Sequence, residues 1–189
     1  RLIKAFQTVL SEAKNEPAVA ALTLTLPSDA KISQEMDVID VEAICAAREA
    51  MKKTFAKNSR ELLEETYHWC LGTDPQSIST ENVGKRSLLN ITLSYLASLD
   101  DQASWSLVKS QLDQAQNMTE EMAAFVNMVH SECSYKNDAI ASFYQKWQHE
   151  DLLINSWFGE QAAANIDNNL SNVRRLVEHS AFSFTNPNR

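Results

Sequence analysis

The fragment nearest to a catalytic signature is His149-Glu150. A zinc peptidase helix needs His-Glu-x-x-His, because residues i and i+4 must both point at one metal ion. Here the second position is Leu153, so the pattern fails and a polar helix end beside Asp151 is the reading that remains. His130 and Cys133 stand three apart and would supply half a metal site, but no second pair follows nearby. His68-Trp69-Cys70 invites a thiol–imidazole nucleophile. Adjacent helical residues point about 100° apart, so these neighbours make no ready catalytic pair. No glycine-rich phosphate loop and no Gly-x-Ser-x-Gly elbow is present. The predicted catalytic set is none, and the predicted metal set is none.

Any chemistry would have to be positioned by helices. Three glycines and four prolines in 189 residues are too few for a sheet protein built on tight turns. Hydrophobic residues at 44% and charged residues at 22% are ordinary globular values, enough for one domain with a real core. The net charge of -8 disfavours nucleic acid, whose phosphates need clustered Lys and Arg. The basic pairs Lys52-Lys53, Lys85-Arg86 and Arg174-Arg175 read as solvated helix faces. No apolar run approaches the roughly 20 residues that cross a bilayer, so no membrane partner is expected. Three widely spaced cysteines, Cys45, Cys70 and Cys133, suit buried thiols in a reducing, cytoplasmic setting better than a disulfide framework. The Asn-x-Ser/Thr triplets at Asn90, Asn117 and Asn169 read as chance matches.

Periodicity and punctuation place the helices. Leu2, Ile3, Phe6, Val9, Leu10 and Ala13 form an opening stripe without a preceding cap. Pro17 starts a second helix to about Thr25, and Pro27-Ser28 ends it and caps a short third. Asp40 caps a helix with an inward stripe of Val41, Ile44, Cys45, Arg48 (by its stem), Met51 and Phe55. Its partner is expected from about Ser59 to Leu71, stopped by Gly72, with Thr73 to Ser77 as the following loop. Ser79, Asp100-Asp101 and Asn117 or Thr119 open the next three helices. Inward residues are expected at Val83, Leu88, Thr92, Tyr95, Leu96 and Leu99, then Trp105, Val108 and Leu112, then Met122, Phe125, Val126 and Val129. Ser134 begins a return helix, and two further stripes carry Leu152, Leu153, Trp157 and Phe158, then Leu170, Val173, Leu176 and Val177.

Hairpins therefore start near 41, 80, 119 and 151, which are 39, 39 and 32 residues apart. That spacing lies between short helical repeats and the roughly 40–47 residues of HEAT and armadillo units. The expected fold is all-α, a right-handed superhelix of paired antiparallel helices; a compact bundle is the alternative. The abrupt ends, an uncapped first helix and a final Asn-Pro-Asn-Arg, imply an excerpt (1–189) of a larger helical domain truncated at both ends.

An ordered set of strings then becomes informative. Leu24-Thr25-Leu26-Pro27-Ser28, Asp37-Val38-Ile39-Asp40, Arg48-Glu49-Ala50 and Lys85-Arg86-Ser87-Leu88-Leu89-Asn90 are followed by Asn117-Met118-Thr119, Lys146-Trp147 and Trp157-Phe158. The series closes on Phe182-Ser183-Phe184-Thr185-Asn186-Pro187-Asn188-Arg189. Together they resemble the C-terminal helical domain of bacterial-type aminopeptidase N, the zinc-dependent alanyl aminopeptidases. The resemblance implies a parent chain with a separate thermolysin-like catalytic domain that holds the zinc. It implies no cofactor in these residues, the catalytic domain of the same chain as partner, and short peptides with free N-termini as the parent's substrates. The helical domain would cover the active site. Asn117, Asn186 and Arg189 are then the candidates for facing the enclosed chamber. A free-standing helical-repeat scaffold that binds a protein or peptide partner is the competing class.

Overall fold

The computed structural model describes residues 1–72 and 74–187; Thr73, Asn188 and Arg189 lie outside the described residues. Those described form ten helices and no strand. The helices are α1 (Leu2–Glu12), α2 (Pro17–Leu24), α3 (Asp29–Ser33), α4 (Val41–Cys70) and α5 (Thr80–Ala97). They continue with α6 (Gln102–Gln114), α7 (Met118–Val129), α8 (Lys136–Trp147), α9 (Asp151–Ala163) and α10 (Asn169–Val177).

The predicted caps are present. Ser28, Asp40, Ser79, Asp101 and Asn117 each accept a backbone N–H of the first turn they precede, satisfying a donor that the helix itself leaves open. Pro17 occupies the first position of α2, where its missing N–H costs nothing. Gly72 follows the end of α4 with φ +77°, the left-handed conformation that a residue with a side chain adopts only under strain.

The first expected pair is joined without a loop. The span 41–70, labelled α4, is two helical arms that meet at a kink at Ser59 (φ -134°, ψ 20°), the residue near which the second helix is expected to begin. Between Phe55 and Ser59 the sequence Ala56-Lys57-Asn58 offers no glycine or proline, so the two arms are joined by a kink and not by a separate loop. The bend frees the carbonyl of Asn58, and the Gln7 side-chain amide of α1 donates to it at 2.7 Å. Just past the bend, Arg60 donates to both oxygens of Asp101 and to Glu64, tying the second half of α4 to the start of α6.

From α4 onward the helices stack in two rows. α4, α5, α7 and α9 touch in succession, whereas α6, α8 and α10 touch only members of that row. The closely packed row is thus the inner side of a curved layer, and the separated helices are its outer side. This is the paired-helix superhelix that the spacing predicted. Two cores fill it. The larger, around Phe6, Phe55, Leu63, Leu88, Tyr95 and Val108, joins α1 and α2 to the first hairpins. The smaller gathers Phe125, Phe143, Ile154, Trp157, Phe158 and Leu176.

Several residues of the predicted stripes face solvent instead: Val41, Met51, Val83, Leu152, Leu170 and Val177. All except Met51 lie in a first or last helical turn. Periodicity assigns a face but carries no information on how far the neighbouring helix extends.

Gly84 marks a close approach of α5 to α2. A Cβ there would stand 2.8 Å from the backbone nitrogen of Ala18, a position that can yield only if α2 moves. Gly84→Ala gains about 1 kcal/mol of helix propensity but forces an overpacking cost of about 1–3 kcal/mol, so net destabilisation is expected. A denaturation midpoint at or above that of the parent sequence would contradict this packing.

The Arg60–Asp101 pair sets an acid limb. Hydrogen bonds from the Arg60 guanidinium and the Ser104 N–H pull the Asp101 carboxyl down to about 2. Its folded value lies below its unfolded one, so its contribution is complete above about pH 4 and is lost as pH falls through 2. Asp101→Asn keeps a capping oxygen and removes the charge. Its stability deficit should be below about 1 kcal/mol at pH 7, as befits a part-exposed pair, and should vanish near pH 2.

Candidate functional site: the polar cluster on the inner row

The residues that invited chemistry in the sequence are dispersed. His130 Nε2 lies 3.1 Å from Glu160 of α9 and does not share a site with Cys133, which is buried. His68 packs edge-on against Tyr67, and burial pushes the neighbouring Cys70 thiol up to about 12, far from a reactive thiolate. His149 is exposed in the α8–α9 turn. Among the described residues no group of three metal-ligating side chains converges, and no disulfide joins Cys45, Cys70 and Cys133.

The chamber candidates occupy separate elements. Asn117 accepts the Glu120 N–H at 3.0 Å and donates its amide to the Glu120 carboxylate at 2.9 Å, a reciprocal cap on α7. Asn186 sits in the turn after α10, where its N–H donates to the Ser183 carbonyl at 3.1 Å. Arg189 falls outside the described residues.

What the fold does bring together is a cluster around the first half of α4. Arg48 donates to the Pro27 carbonyl and to the Asp29 carboxylate, both at 2.8 Å, holding the α2–α3 connection. Glu49 accepts the side-chain amide of Asn165 at 2.9 Å, a contact spanning 116 residues that links α4 to the α9–α10 connection. Lys52 donates to Ser94 Oγ of α5 at 2.7 Å. Arg48, placed on the inward stripe by its stem, is half-buried and ends in an ion pair with Asp29 on α3. Glu49 and Lys52, three apart, share a helix face. Nothing local marks Asn165 or Ser94, because their partners come from distant helices.

A second polar group lies across α7 and α8. Glu121 is only 6% exposed, and its carboxylate accepts both Lys146 Nζ (2.9 and 3.0 Å) and Trp147 Nε1 (2.8 Å). The Lys146-Trp147 string thus clamps α8 to α7. Beside it opens a groove of about 440 Å³ between α6 and α8, lined by Lys109, Asp113, Asp138 and Lys146 among others. The Lys85-to-Asn90 string is likewise engaged. Lys85 covers the Trp69 ring at 4.7 Å, Arg86 holds the carbonyls of Asp74 and Ser77, and Asn90 donates to the Thr119 carbonyl. Solvated faces describe Lys53, Arg174 and Arg175, which are exposed, but not Lys52, Lys85 or Arg86.

Comparison with known proteins places this arrangement. All of residues 1–189 match the model of the domain of unknown function DUF3458_C, described as ARM repeats. The chain belongs to the DUF3458_C family. Aminopeptidase N of Escherichia coli (strain K12) is 34% identical over 185 residues, 98% of this chain and 21% of that protein. Aminopeptidase N of Haemophilus influenzae is 30% identical over 188 residues, all of this chain and 21% of that protein. The chain therefore spans about a fifth of the length of these relatives. The crystal structure of Legionella pneumophila aminopeptidase A in complex with aspartic acid superposes with a TM-score of 0.86 at 22% identity. That match covers 98% of this chain and 23% of that one, and bears on the fold alone. The likeness to aminopeptidase N sequences expected from the ordered strings runs along the whole chain, and this DUF3458_C domain has the all-helical repeat architecture that the spacing implied.

Glu121→Ala should cost about 1–3 kcal/mol, because the part-buried Trp147 indole N–H loses its acceptor and α8 loses its bonds to a buried carboxylate on α7. Asn165→Ala, at an exposed contact, should change the melting temperature by no more than about 2 °C. Equal losses from both substitutions in thermal denaturation would refute the different weights given to the two clusters.

Proposed function

We propose that this chain is a helical portion of the C-terminal domain of a zinc-dependent aminopeptidase of the N type. In this reading the parent removes N-terminal residues from peptides in the cytoplasm, and residues 1–189 are part of a larger helical domain. The observation that carries it is the end-to-end match to aminopeptidase N from two bacteria, at 34% and 30% identity. The role of the domain is to cover the active site and restrict entry to short peptides with free N-termini. A curved helical layer suits that task, since its inner row can line an enclosed space while its stripes fill the interior. Zinc chemistry belongs to the catalytic domain of the parent; the His-Glu fragment here lacks its second histidine, so these residues are assigned no metal.

Asn117, Asn186 and Arg189 remain the proposed chamber-facing residues. For Asn117 this adds to a capping role, so only its exposed part can serve. Arg189 would set a permanent positive charge beside the peptide route and attract the substrate's C-terminal carboxylate.

Two measurements test this. The full-length protein should contain a His-Glu-x-x-His sequence, bind one zinc and hydrolyse aminoacyl reporters; a full-length chain with no such motif and no activity returns the scaffold reading. Arg189→Ala in that protein should raise KM about three- to tenfold for peptides with a free carboxylate and leave neutral aminoacyl reporters unchanged. Equal effects on both substrate types would assign Arg189 to the turn alone.

A further inference from the structure

His179, two residues beyond α10, fastens the segment 180–187 to the last helical pairs. Its half-buried ring lies edge-on to Tyr144 of α8 and Phe158 of α9, with ring centres 4.8 and 5.6 Å away, and tilts against Trp157 of α9 at 5.2 Å. Aromatic neighbours from two helices fix the plane of the imidazole, because edge-to-face contacts favour particular ring angles. Nδ1 of the ring so held accepts the N–H of Ala181 at 3.2 Å. A side-chain acceptor that takes the N–H two residues on builds the turn that asparagine and aspartate build in an Asx turn. The His179 carbonyl accepts the Phe182 N–H at 2.8 Å. Side chain and backbone of one residue therefore set the direction in which the chain leaves α10.

From there the geometry passes along the turn. Phe182 packs edge-on against Phe158 at 5.8 Å, Phe184 packs against Phe182 at 4.9 Å, and the Ser183 carbonyl accepts the Asn186 N–H at 3.1 Å. We propose that His179 is a positioning residue for peptide binding: its Nδ1 acceptor holds the turn that presents Asn186, and Arg189 three residues later, to the C-terminal end of the substrate. This rests on the reading of Asn186 and Arg189 as chamber-facing residues. His179 itself touches no substrate and acts through the turn. A displaced turn weakens binding of the group it contacts and leaves the reaction at the distant catalytic domain as it was, so the signature is a change in KM at constant kcat.

The ring and the acceptor can be removed separately. His179→Phe keeps an aromatic ring among Tyr144, Trp157 and Phe158 and has no acceptor for Ala181. His179→Asn gives up the ring contacts and restores the acceptor through an Asx turn. In the full-length protein, His179→Phe should raise KM for peptides with a free carboxylate about three- to tenfold, with kcat and the KM of neutral aminoacyl reporters unchanged. His179→Asn should keep KM within about twofold of the unsubstituted protein although its melting temperature falls, because binding follows the acceptor and stability follows the rings. A purely structural histidine would move KM and melting temperature together. An unchanged KM in His179→Phe, or a KM that tracks the melting temperature across the two variants, overturns the proposal. The Phe variant decides the matter by itself if the Asn variant does not fold. A full-length protein that hydrolyses reporters while His179→Phe binds peptides normally loses this inference and keeps the aminopeptidase reading; a protein without hydrolysis loses both.

Discussion

The bend in α4 at Ser59 is the constraint on which the arrangement of the other helices depends. A straight helix of 30 residues would run about 45 Å, well beyond the roughly 27 Å of its main partner α5. Bending divides it into two arms that serve different neighbours. The second arm carries Leu63, Tyr67 and Cys70 into the larger core and meets α1 through Lys14–Glu65. The first arm joins that core only at Phe55 and Ala56, and before them it carries Arg48, Glu49 and Lys52 toward α3, α5 and the last hairpin. Gln7 and Arg60 hold the bend from either side, one by capping the freed carbonyl and the other by joining the next helical pair.

Side chains that finish another helix's backbone recur throughout the stack. The Tyr95 hydroxyl donates to the Leu24 carbonyl at 2.6 Å, at the end of α2, while its ring packs against Phe6 and Phe55. Trp157 reaches the Ile140 carbonyl, and Gln111 reaches both Asn90 and the Glu120 carbonyl. Each bond satisfies a polar group that would otherwise be stranded beside apolar surface, and each is made only in one register of neighbouring helices. Nondirectional burial brings the helices together; these bonds select how they sit.

Several strings that carry the family resemblance are fasteners of this kind. Lys85 covers Trp69 of α4, Arg86 holds the connection before α5, Arg48 holds the one between α2 and α3, and Lys146-Trp147 close on a buried glutamate. Their residue types are therefore accounted for by folding. The inner-row cluster stands apart, because Glu49 and Lys52 share a helix face yet take their hydrogen bonds from different elements, Glu49 from Asn165 and Lys52 with Ser94.

Local sequence was sufficient for what depends on a few neighbouring residues: helical character, five N-caps, the glycine stop at Gly72 and the repeat near 39 residues. These follow from rotamer freedom, unsatisfied terminal N–H groups and apolar period, all set within about one turn of chain. The ordered strings likewise made the family legible without coordinates. Only the tertiary structure decided that the two arms of α4 meet at a kink without a loop between them, where the Gln7 amide, 51 residues away, reaches the Asn58 carbonyl. It also decided which stripe ends are covered, and that Glu49, Lys52, Ser94 and Asn165 meet. Those outcomes depend on how long each neighbouring helix is and where its polar ends fall, quantities that no window along the chain contains.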